Sequence, residues 1–367
     1  MKFKVAKETL LNGIQKVQNV ISAKSALPIL SNMLLEAQQN TLKLTATDLD
    51  IGISCAIPVD MEESGLITIP AKRFSDIIKE LPGDIVNINT KKNNLIVIET
   101  ISCQFKIMGL APEDFPKLPE FKEGQVITLE QSALKEMLTL TSFAVSLDET
   151  RYILNGILFK INQNQITLVA TDGKRLAIIE RKLKQNIEKG VYIIVPLKTI
   201  QELSRNLQET GELSMLLGNN QVLFDLGEMI IISRLIEGEF PDYQQVIPPV
   251  SENKIRIGRE QFLLAIRRAA LLSTADYQAV KLETFKNKLV VSKSTPDIGE
   301  SREEIPMEYQ GKEIAIGFNP NYLIDVLKNA REEKLEFELS DTEKAAENPG
   351  VIRVNGYVYI ILPMRLG

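Results

Sequence analysis

Histidine and tryptophan are absent from the 367-residue sequence, and only two cysteines, Cys55 and Cys103, are present. Without histidine, the chain has no Ser-His-Asp or Cys-His nucleophile pair, no histidine general base and no histidine-ligated metal site. Two cysteines are too few for a disulfide framework or a four-cysteine zinc site. The composition therefore favours a binding or scaffolding protein over an enzyme, and it predicts neither a metal nor a cofactor.

Long apolar runs are also missing from the sequence. The longest, such as residues 357–363, are far shorter than the ~20 residues that span a bilayer. The opening MKFKVAKETL has no apolar core of the kind found in secretory signal peptides. Hydrophobic residues make up 44% of the chain and charged residues 25%, as in ordinary globular proteins. We therefore expect a globular protein of the reducing cytoplasm, without a membrane partner.

Internal repeats divide the sequence into three parts. Residues 27–48 align with residues 151–172, and each of these two segments ends in a threonine-aspartate pair. The pairs Thr47-Asp48 and Thr171-Asp172 are 124 residues apart, and a further 124 residues lead to Thr295-Pro296, where the aspartate is missing. This period predicts three similar domains, at residues 1–124, 125–250 and 251–367.

Hydrophobic periodicity predicts the same order of helices and strands in each third. Apolar residues at helical spacing predict helices at residues 7–20, 71–80, 131–143, 197–208, 259–272 and 319–334. Alternating runs predict short strands at residues 41–47, 85–89, 95–99, 165–169, 222–226 and 289–292. Helices on one face of antiparallel strands make an α+β layer architecture, and its repetition favours an arc or a ring.

Positive charge is concentrated on the predicted helices. The six segments carry a formal charge of +5, which leaves −10 for the rest of a chain whose total is −5. Such helices suit contact with a phosphate backbone without base reading. Ordinary solvated helix faces also carry lysine and arginine, so the charge alone leaves both interpretations open.

Six segments, in order, resemble the bacterial DNA sliding clamp family, the beta subunits of DNA polymerase III. They are LPILSN (27–32), ATDLD (46–50), RYILNGILF (151–159), VATDGKRLA (169–177), GEFPDY (238–243) and YVYIILPMRL (357–366). The resemblance implies three like-folded domains per chain, with helices inside and antiparallel sheets outside, and a homodimeric ring around double-stranded DNA. It also implies a non-enzymatic processivity factor for DNA replication. Its partners would be the polymerase III alpha subunit, the clamp loader delta subunit, and other polymerases and repair proteins that bind through short peptide motifs.

The resemblance further implies an apolar peptide-binding groove. Its matching positions are Leu154, Thr171, Gly173, Lys174, Arg175, Leu176, Pro241, Val246, Ile360, Leu362, Pro363, Met364, Arg365 and Leu366. Arg175 and Arg365 would offer polar contacts beside flexible apolar side chains. Lys174 stands where the family often has histidine, and Gln244-Gln245 where it is often basic, so partner preference is left open. Gly367 extends the usual terminus by one residue.

The resemblance places a dimer seam between edge strands at residues 103–108 and 300–305. The residues implied are Phe105, Lys106, Ile107, Leu271, Leu272, Glu300, Glu303 and Glu304. Lys106 would face one of the three glutamates, and Phe105 or Ile107 would pack on the two leucines. Candidate DNA contacts by position are Lys24, Arg73, Arg151, Tyr152 and Lys198.

Two other functions compete with a clamp. The TDGKR segment at residues 171–175 could be taken for a catalytic or phosphate-binding site, but the sequence has no P-loop, no GxGxxG motif and no paired-carboxylate motif. Asp48 and Asp172 recur at equivalent repeat positions, which is typical of turn-forming aspartates. A repeat-built protein-interaction scaffold that does not encircle DNA is the second alternative, and the helical charge argues weakly against it.

Overall fold

The computed structural model describes residues 1–21, 27–119, 121, 125–340 and 347–366. Lys24 and Gly367, both singled out from the sequence, lie outside these residues. The described part contains six α-helices: α1 Lys7–Gln18, α2 Ala71–Glu80, α3 Gln131–Thr141, α4 Leu197–Asn206, α5 Arg259–Ala270 and α6 Pro320–Asn329. All six lie where the apolar spacing predicts them.

The strands are short and regular, apart from one long pair. In chain order they are β1 Lys2–Ala6, β2 Asn32–Gln38, β3 Thr41–Thr47, β4 Ile51–Pro58, β5 Asp60–Glu63, β6 Gly65–Pro70, β7 Ile85–Thr90, β8 Leu95–Glu99, β9 Gln104–Met108, β10 Val126–Glu130, β11 Gly156–Thr171, β12 Arg175–Pro196, β13 Glu212–Leu217, β14 Gln221–Asp225, β15 Met229–Arg234, β16 Lys254–Gly258, β17 Val280–Phe285, β18 Lys288–Thr295, β19 Gly299–Glu308, β20 Ala315–Phe318, β21 Lys334–Glu338, β22 Gly350–Val354 and β23 Tyr357–Ile361.

The chain forms two compact units. The first unit comprises residues 1–132 and 201–235. It holds a five-stranded antiparallel sheet in the order β5-β1-β7-β8-β9 and an eight-stranded sheet in the order β10-β13-β14-β15-β4-β3-β2-β6. The pair β4–β15, with Ile53 opposite Ile231, joins strands of the first and second repeats in one sheet.

The second unit comprises residues 133–200 and 236–367. Its strands follow the order β11-β12-β23-β22-β21-β16-β19-β18-β17-β20. The pair β12–β23, with Arg175 opposite Ile361, joins the second repeat to the third. The middle repeat therefore gives four strands to the first unit and two to the second, so the sheets continue across the repeat borders.

Each helix follows directly on a strand, and this pattern recurs in every third. The helices α1, α3 and α5 follow β1, β10 and β16, whereas α2, α4 and α6 follow β6, β12 and β20. The backbone turns from extended to helical at one residue, such as Ala6 (ψ 132°) before α1 and Gly258 (ψ 118°) before α5. The threefold α+β repetition predicted from the sequence is therefore present.

Helix α1 packs closely on its sheet. Leu10, Ile14 and Val17 are fully buried on one face of the helix. A Cβ atom at Gly13 would lie 2.7 Å from the Leu44 side chain and 3.1 Å from that of Ile57. Glycine at residue 13 therefore lets the helix approach β3 and β4 without displacing these side chains. No helix in the described residues is long and apolar enough to cross a membrane.

The largest differences from the predicted secondary structure are in the extent of one strand and one helix. The short strand at residues 165–169 is part of the 16-residue strand β11, which stays paired with β12 through two register shifts. The helix predicted at residues 319–334 ends at Asn329, because Ala330 is extended (ψ 144°) and Lys334 begins β21.

Candidate peptide groove, dimer seam and DNA contacts

A buried apolar cluster underlies the predicted peptide groove. It consists of Leu158, Val169, Leu176, Ile178, Ile194, Phe240, Val351 and Ile360, against which Ile153, Leu154, Ile236, Tyr243, Ile247 and Val358 pack partly buried. Alternating side chains of β11, β12, β22 and β23 point inward from neighbouring strands, which is why they converge. Leu154, Leu176 and Ile360, three of the predicted groove residues, belong to this layer.

Other predicted groove residues are accessible at the surface of the same unit. Val246 is 59% exposed, Leu362 46% and Leu366 40%, whereas Pro363 and Met364 are half-buried. Pro241 and Arg365 are also exposed. Single exposed apolar residues are ordinary, but several beside one apolar layer are typical of binding surfaces.

The C-terminal residues are hydrogen-bonded along the sheet. The Leu362 amide donates to the Lys174 carbonyl at 2.9 Å, and the Met364 amide donates to the Gly317 carbonyl at 2.8 Å. A Cβ at Gly317 would lie 2.6 Å from the Met364 carbonyl oxygen and 2.9 Å from the Leu366 side chain. The backbone of residues 362–364 is therefore fixed against the TDGKR turn and β20.

The TDGKR segment is a tight turn between β11 and β12. Asp172 Oδ1 accepts hydrogen bonds from the amides of Lys174 (2.9 Å) and Arg175 (3.0 Å). Thr171 Oγ1 accepts from the Gly173 amide at 3.0 Å, and Gly173 has φ +84°, which favours glycine. Asp48 makes the same turn, accepting from the Asp50 and Ile51 amides. The interpretation of these aspartates as turn formers is confirmed.

Arg175, which the resemblance implies as a polar contact for peptides, binds groups of its own chain. Its side chain is 10% exposed; the guanidinium pairs with Asp172 at 3.0 Å and with Asp325. It also donates to the Phe143 carbonyl and lies 4.4 Å from the ring centroid of Tyr322. Each of the three guanidinium nitrogens donates to a group of this chain, so Arg175 ties the turn to α6.

Two predicted DNA contacts lie beside this turn and outside the six helices. Arg151 Nη1 donates to the Asp172 carbonyl at 3.3 Å, and it would lie 2.9 Å from a Cβ at Gly173. Tyr152 is 57% exposed next to it. The helical candidates Arg73 and Lys198 are exposed on the first turns of α2 and α4, within the helices predicted at residues 71–80 and 197–208.

The first half of the predicted seam is an edge strand. Strand β9 is the outermost strand of the five-stranded sheet. Phe105 is 37% exposed and lines a cleft with Ile21 and Ile77, whereas Lys106 is exposed on the opposite face. Ile107 is 9% exposed. Phe105 is therefore the more accessible of the two predicted apolar contacts, and the role of Ile107 stays a prediction.

The second half of the predicted seam is also an edge. Residues 299–306 of β19 pair with β18 on one side, and β19 meets β16 only at Met307 and Glu308 within the described residues. Next to this edge, Leu271 is 81% exposed just after α5, and Leu272 is half-buried. Both predicted strands therefore present free edges.

The three glutamates of β19 are not equivalent. Glu303 faces α5, where Arg268 donates to both of its carboxylate oxygens. Glu304 pairs with Lys288 and Arg302, and the hydrogen bonds from these two residues lower the pKa of its carboxyl. Glu300 is exposed and forms no ion pair in the part of the chain described.

Comparison with known proteins gives the same assignment along the whole chain. Residues 1–119, 128–242 and 244–365 match the family models of the N-terminal, central and C-terminal domains of the DNA polymerase III beta subunit. The beta sliding clamp of Pseudomonas aeruginosa is 35% identical over 369 residues and that of Chlamydia muridarum 32% over 367. These alignments cover all of this chain and 100% and 99% of the two relatives.

Solved structures agree with the sequence comparisons. The Bacillus subtilis DNA polymerase sliding clamp superposes with a TM-score of 0.94 at 31% identity, and the P. aeruginosa clamp bound to griselimycin with 0.94 at 33%. Each comparison covers both chains completely. The architecture is that of a three-domain sliding clamp, a class of processivity factors that are not enzymes. The chain belongs to the DNA polymerase III beta subunit family.

Proposed function

We propose that two copies of this chain form a closed ring around duplex DNA, slide along it and tether the replicative polymerase. The observation that carries this proposal is one α+β unit repeated three times, with a beta-subunit match on every third of the chain. Two such chains joined head to tail close without a free edge. A ring holds DNA by topology, so it needs only weak attraction and no bond chemistry.

The domain borders that we propose remain those of the sequence repeats, at residues 1–124, 125–250 and 251–367. We place the protein in the cytoplasm, where bacterial replication takes place. Its proposed partners are double-stranded DNA, the polymerase III alpha subunit, the clamp loader delta subunit, and other polymerases and repair proteins with short clamp-binding peptides.

Weak phosphate contacts would centre the duplex in such a ring. Arg73 and Lys198 are exposed in the first turns of α2 and α4, where the helix dipole adds partial positive charge. We include Lys24, Arg151 and Tyr152 as further contacts. Attraction of this kind is independent of base sequence and weakens as salt rises, as sliding requires.

The dimer seam would join β9 of one protomer to residues 299–306 of β19 in its partner. Strand addition satisfies the backbone groups that both edges leave open. Side-chain alternation places Lys106, Glu300 and Glu304 on outward faces, whereas Glu303 turns toward α5. Glu304 already has two cationic partners, so we assign Glu300 as the partner of Lys106.

An apolar contact would complete this seam. Phe105 and Ile77 line an open cleft beside β9, and the exposed Leu271 with Leu272 lies beside β19. Insertion of the leucines of one protomer into the cleft of its partner would remove apolar surface from water on both sides, which stabilises association.

Topological linkage is the property that tests the proposed function. The protein is loaded by a clamp loader onto nicked circular plasmid, half of which is then linearised, and retention is measured by gel filtration in high salt. We expect the ring to stay on circles and to leave linear DNA through its free ends. A scaffold with ordinary DNA affinity would leave both forms equally, and this outcome would contradict encirclement.

The peptide groove is tested by shortening its two C-terminal apolar side chains. Met364→Ala with Leu366→Ala is expected to weaken binding of a clamp-binding peptide of the polymerase alpha subunit by roughly 10- to 100-fold, because two partly exposed apolar contacts that together contribute ~1.4–2.7 kcal/mol are lost. Fluorescence anisotropy of the labelled peptide measures this change. The backbone bonds of Leu362 and Met364 do not depend on these side chains, so the fold and the dimer are retained.

The control for this experiment removes two exposed apolar side chains elsewhere. Leu66 and Ile85 are 52% and 53% exposed in the first unit. Their double alanine variant is expected to bind the peptide like the parent protein. Equal peptide affinity in the Met364 and Leu366 variant would instead reject the groove assignment.

A further inference from the structure

Lys293 is a lysine inside the third repeat. It lies in β18 and is only 5% exposed, and burial lowers the pKa of its ammonium group. Its Nζ donates to the Tyr277 carbonyl at 2.6 Å and to the Ala279 carbonyl at 2.9 Å. A buried lysine is unfavourable unless its charge is met by hydrogen bonds. Both of the partners named here are backbone groups of one short segment.

That segment, residues 271–279, connects α5 to β17, and we call it the plug segment. It contains Leu271, Leu272 and Tyr277, which are 81% exposed, half-buried and 45% exposed. Between α5 and β17 the backbone of this segment is not paired with a strand within the described residues. Its conformation therefore depends on a few local bonds, such as the Thr274 amide to the Tyr277 carbonyl.

Thr295 holds the other end of the plug segment. It is two residues beyond Lys293, so both side chains leave β18 on the same face. The Thr295 hydroxyl donates to the Leu272 carbonyl at 2.6 Å, and Thr295 is 4% exposed. Two adjacent side chains of one strand thus bind three carbonyl groups, those of Leu272, Tyr277 and Ala279.

We propose that Lys293 and Thr295 are positioning residues for ring closure, which fix the plug segment so that Leu271 and Leu272 are presented to the partner subunit. This inference rests on the proposed dimer seam. Neither side chain would touch the partner: Lys293 acts through the backbone of residues 277–279 and Thr295 through that of Leu272. A preformed plug loses less conformational entropy on association than a loose one.

The buried charge itself supports a positioning role. A methionine of similar length would fill the same space without bringing an ammonium group out of water. Methionine has no hydrogen-bond donor, so it cannot bind the Tyr277 and Ala279 carbonyl oxygens together as lysine does. Lysine at residue 293 therefore orders the plug segment. We expect its replacement to weaken dimer association more than it lowers the stability of the fold.

The test compares dimer dissociation with local order in the full-length protein. Lys293→Met removes two hydrogen bonds and is expected to weaken the dimer roughly tenfold, and Thr295→Val, which removes one, somewhat less. Sedimentation velocity over a dilution series measures the dimer constant. Hydrogen exchange measures protection of the amides in residues 274–279, which we expect to fall in both variants.

A matched control makes the same change in net charge at a different position in the third repeat. Lys286 is exposed at the turn between β17 and β18, away from the plug segment. Lys286→Met is expected to leave the dimer constant and the loop protection unchanged. Thermal unfolding of each variant is measured at concentrations below its dimer dissociation constant, which separates loss of folding from loss of association. If Lys293→Met unfolds, the test relies on Thr295→Val, because valine is nearly identical in shape to threonine.

The outcomes distinguish this inference from the proposed function. A weaker dimer with lower loop protection in both variants supports the positioning role. A dimer within twofold of the parent, with unchanged protection, overturns it. Leu272→Asp is run in parallel: if that variant also remains dimeric, the seam itself is wrong, and the role of Lys293 in ring closure fails with it.

Discussion

Leu272→Asp is expected to convert the proposed dimer to monomers at micromolar concentration. Leu272 is half-buried next to Leu271, and in the proposed seam both pack on Phe105 and Ile77. The same cleft is also lined by three cations, Lys72, Arg73 and Lys79. A carboxylate there would lose the apolar contact and be desolvated. Burial of a charge without a partner costs about 3–5 kcal/mol, and pairing with one of these cations would return only part of it. The dimer dissociation constant would therefore rise by more than roughly 100-fold.

Light scattering after gel filtration, with sedimentation velocity, measures this change. The control is Leu147→Asp, because Leu147 is 81% exposed and lies in the second repeat, outside both edge strands. The control is expected to stay dimeric. Circular dichroism of Leu272→Asp should match the parent, since the Thr295 hydroxyl binds the backbone of residue 272 and not its side chain. A dimer that survives in Leu272→Asp contradicts the seam.

The same variant separates ring closure from peptide binding. The proposed groove residues Met364 and Leu366 lie in the second unit with the cluster around Leu176 and Ile360, and each protomer of the proposed dimer has its own copy. Monomeric Leu272→Asp should therefore bind the alpha-subunit peptide with parental affinity but fail to remain on nicked circular DNA. Loss of both activities would point to misfolding instead.

Local periodicity was sufficient to predict the helices and most strands. Residues such as Leu10, Ile14 and Val17 repeat at the helical period, and they are all buried on α1. The repeat of Thr47-Asp48 and Thr171-Asp172 predicted two copies of the same turn, which the structure contains. These features depend on near neighbours in the chain, and therefore the sequence shows them directly.

Features that depend on distant residues could not be predicted in the same way. The residues around Gln163 are polar enough to predict the end of a strand, yet β11 continues because β12 pairs along it. Ile107 and Phe105 are two residues apart and therefore lie on the same face of β9, but only the folded sheet shows that Ile107 is buried and Phe105 is partly exposed. Lys293, one lysine among many in the sequence, becomes distinctive only when the carbonyls that it binds are known.

Arg175 is the clearest example, because the family resemblance implied that it contacts a peptide. Its strongest partners are Asp172, three residues away, and Asp325, 150 residues away. The long-range pair attaches the TDGKR turn to α6 in the same unit. Lys174, a proposed groove residue, and the bond from Leu362 to its carbonyl both belong to this turn. In the proposed groove, Arg175 therefore fixes the turn that carries Lys174.

Arg175→Leu is accordingly expected to lower the free energy of unfolding by about 2–4 kcal/mol, less than a fully buried pair because Asp325 is partly exposed. Two carboxylates and the Phe143 carbonyl lose their donor, and stacking on Tyr322 is lost. Urea unfolding followed by circular dichroism measures this loss, and Arg234→Leu, which breaks an exposed pair, is the control.

Arg175→Lys tests whether charge or geometry matters at this position. Lysine keeps the positive charge but lacks the planar fork that reaches Asp172, Asp325 and the Phe143 carbonyl together. We expect Arg175→Lys to recover only part of the stability, and to bind the alpha-subunit peptide more weakly than the parent under conditions where it is fully folded. Parental stability in Arg175→Leu would show that the network contributes nothing. Parental stability in Arg175→Lys alone would show that a single charge is sufficient to hold the turn against α6.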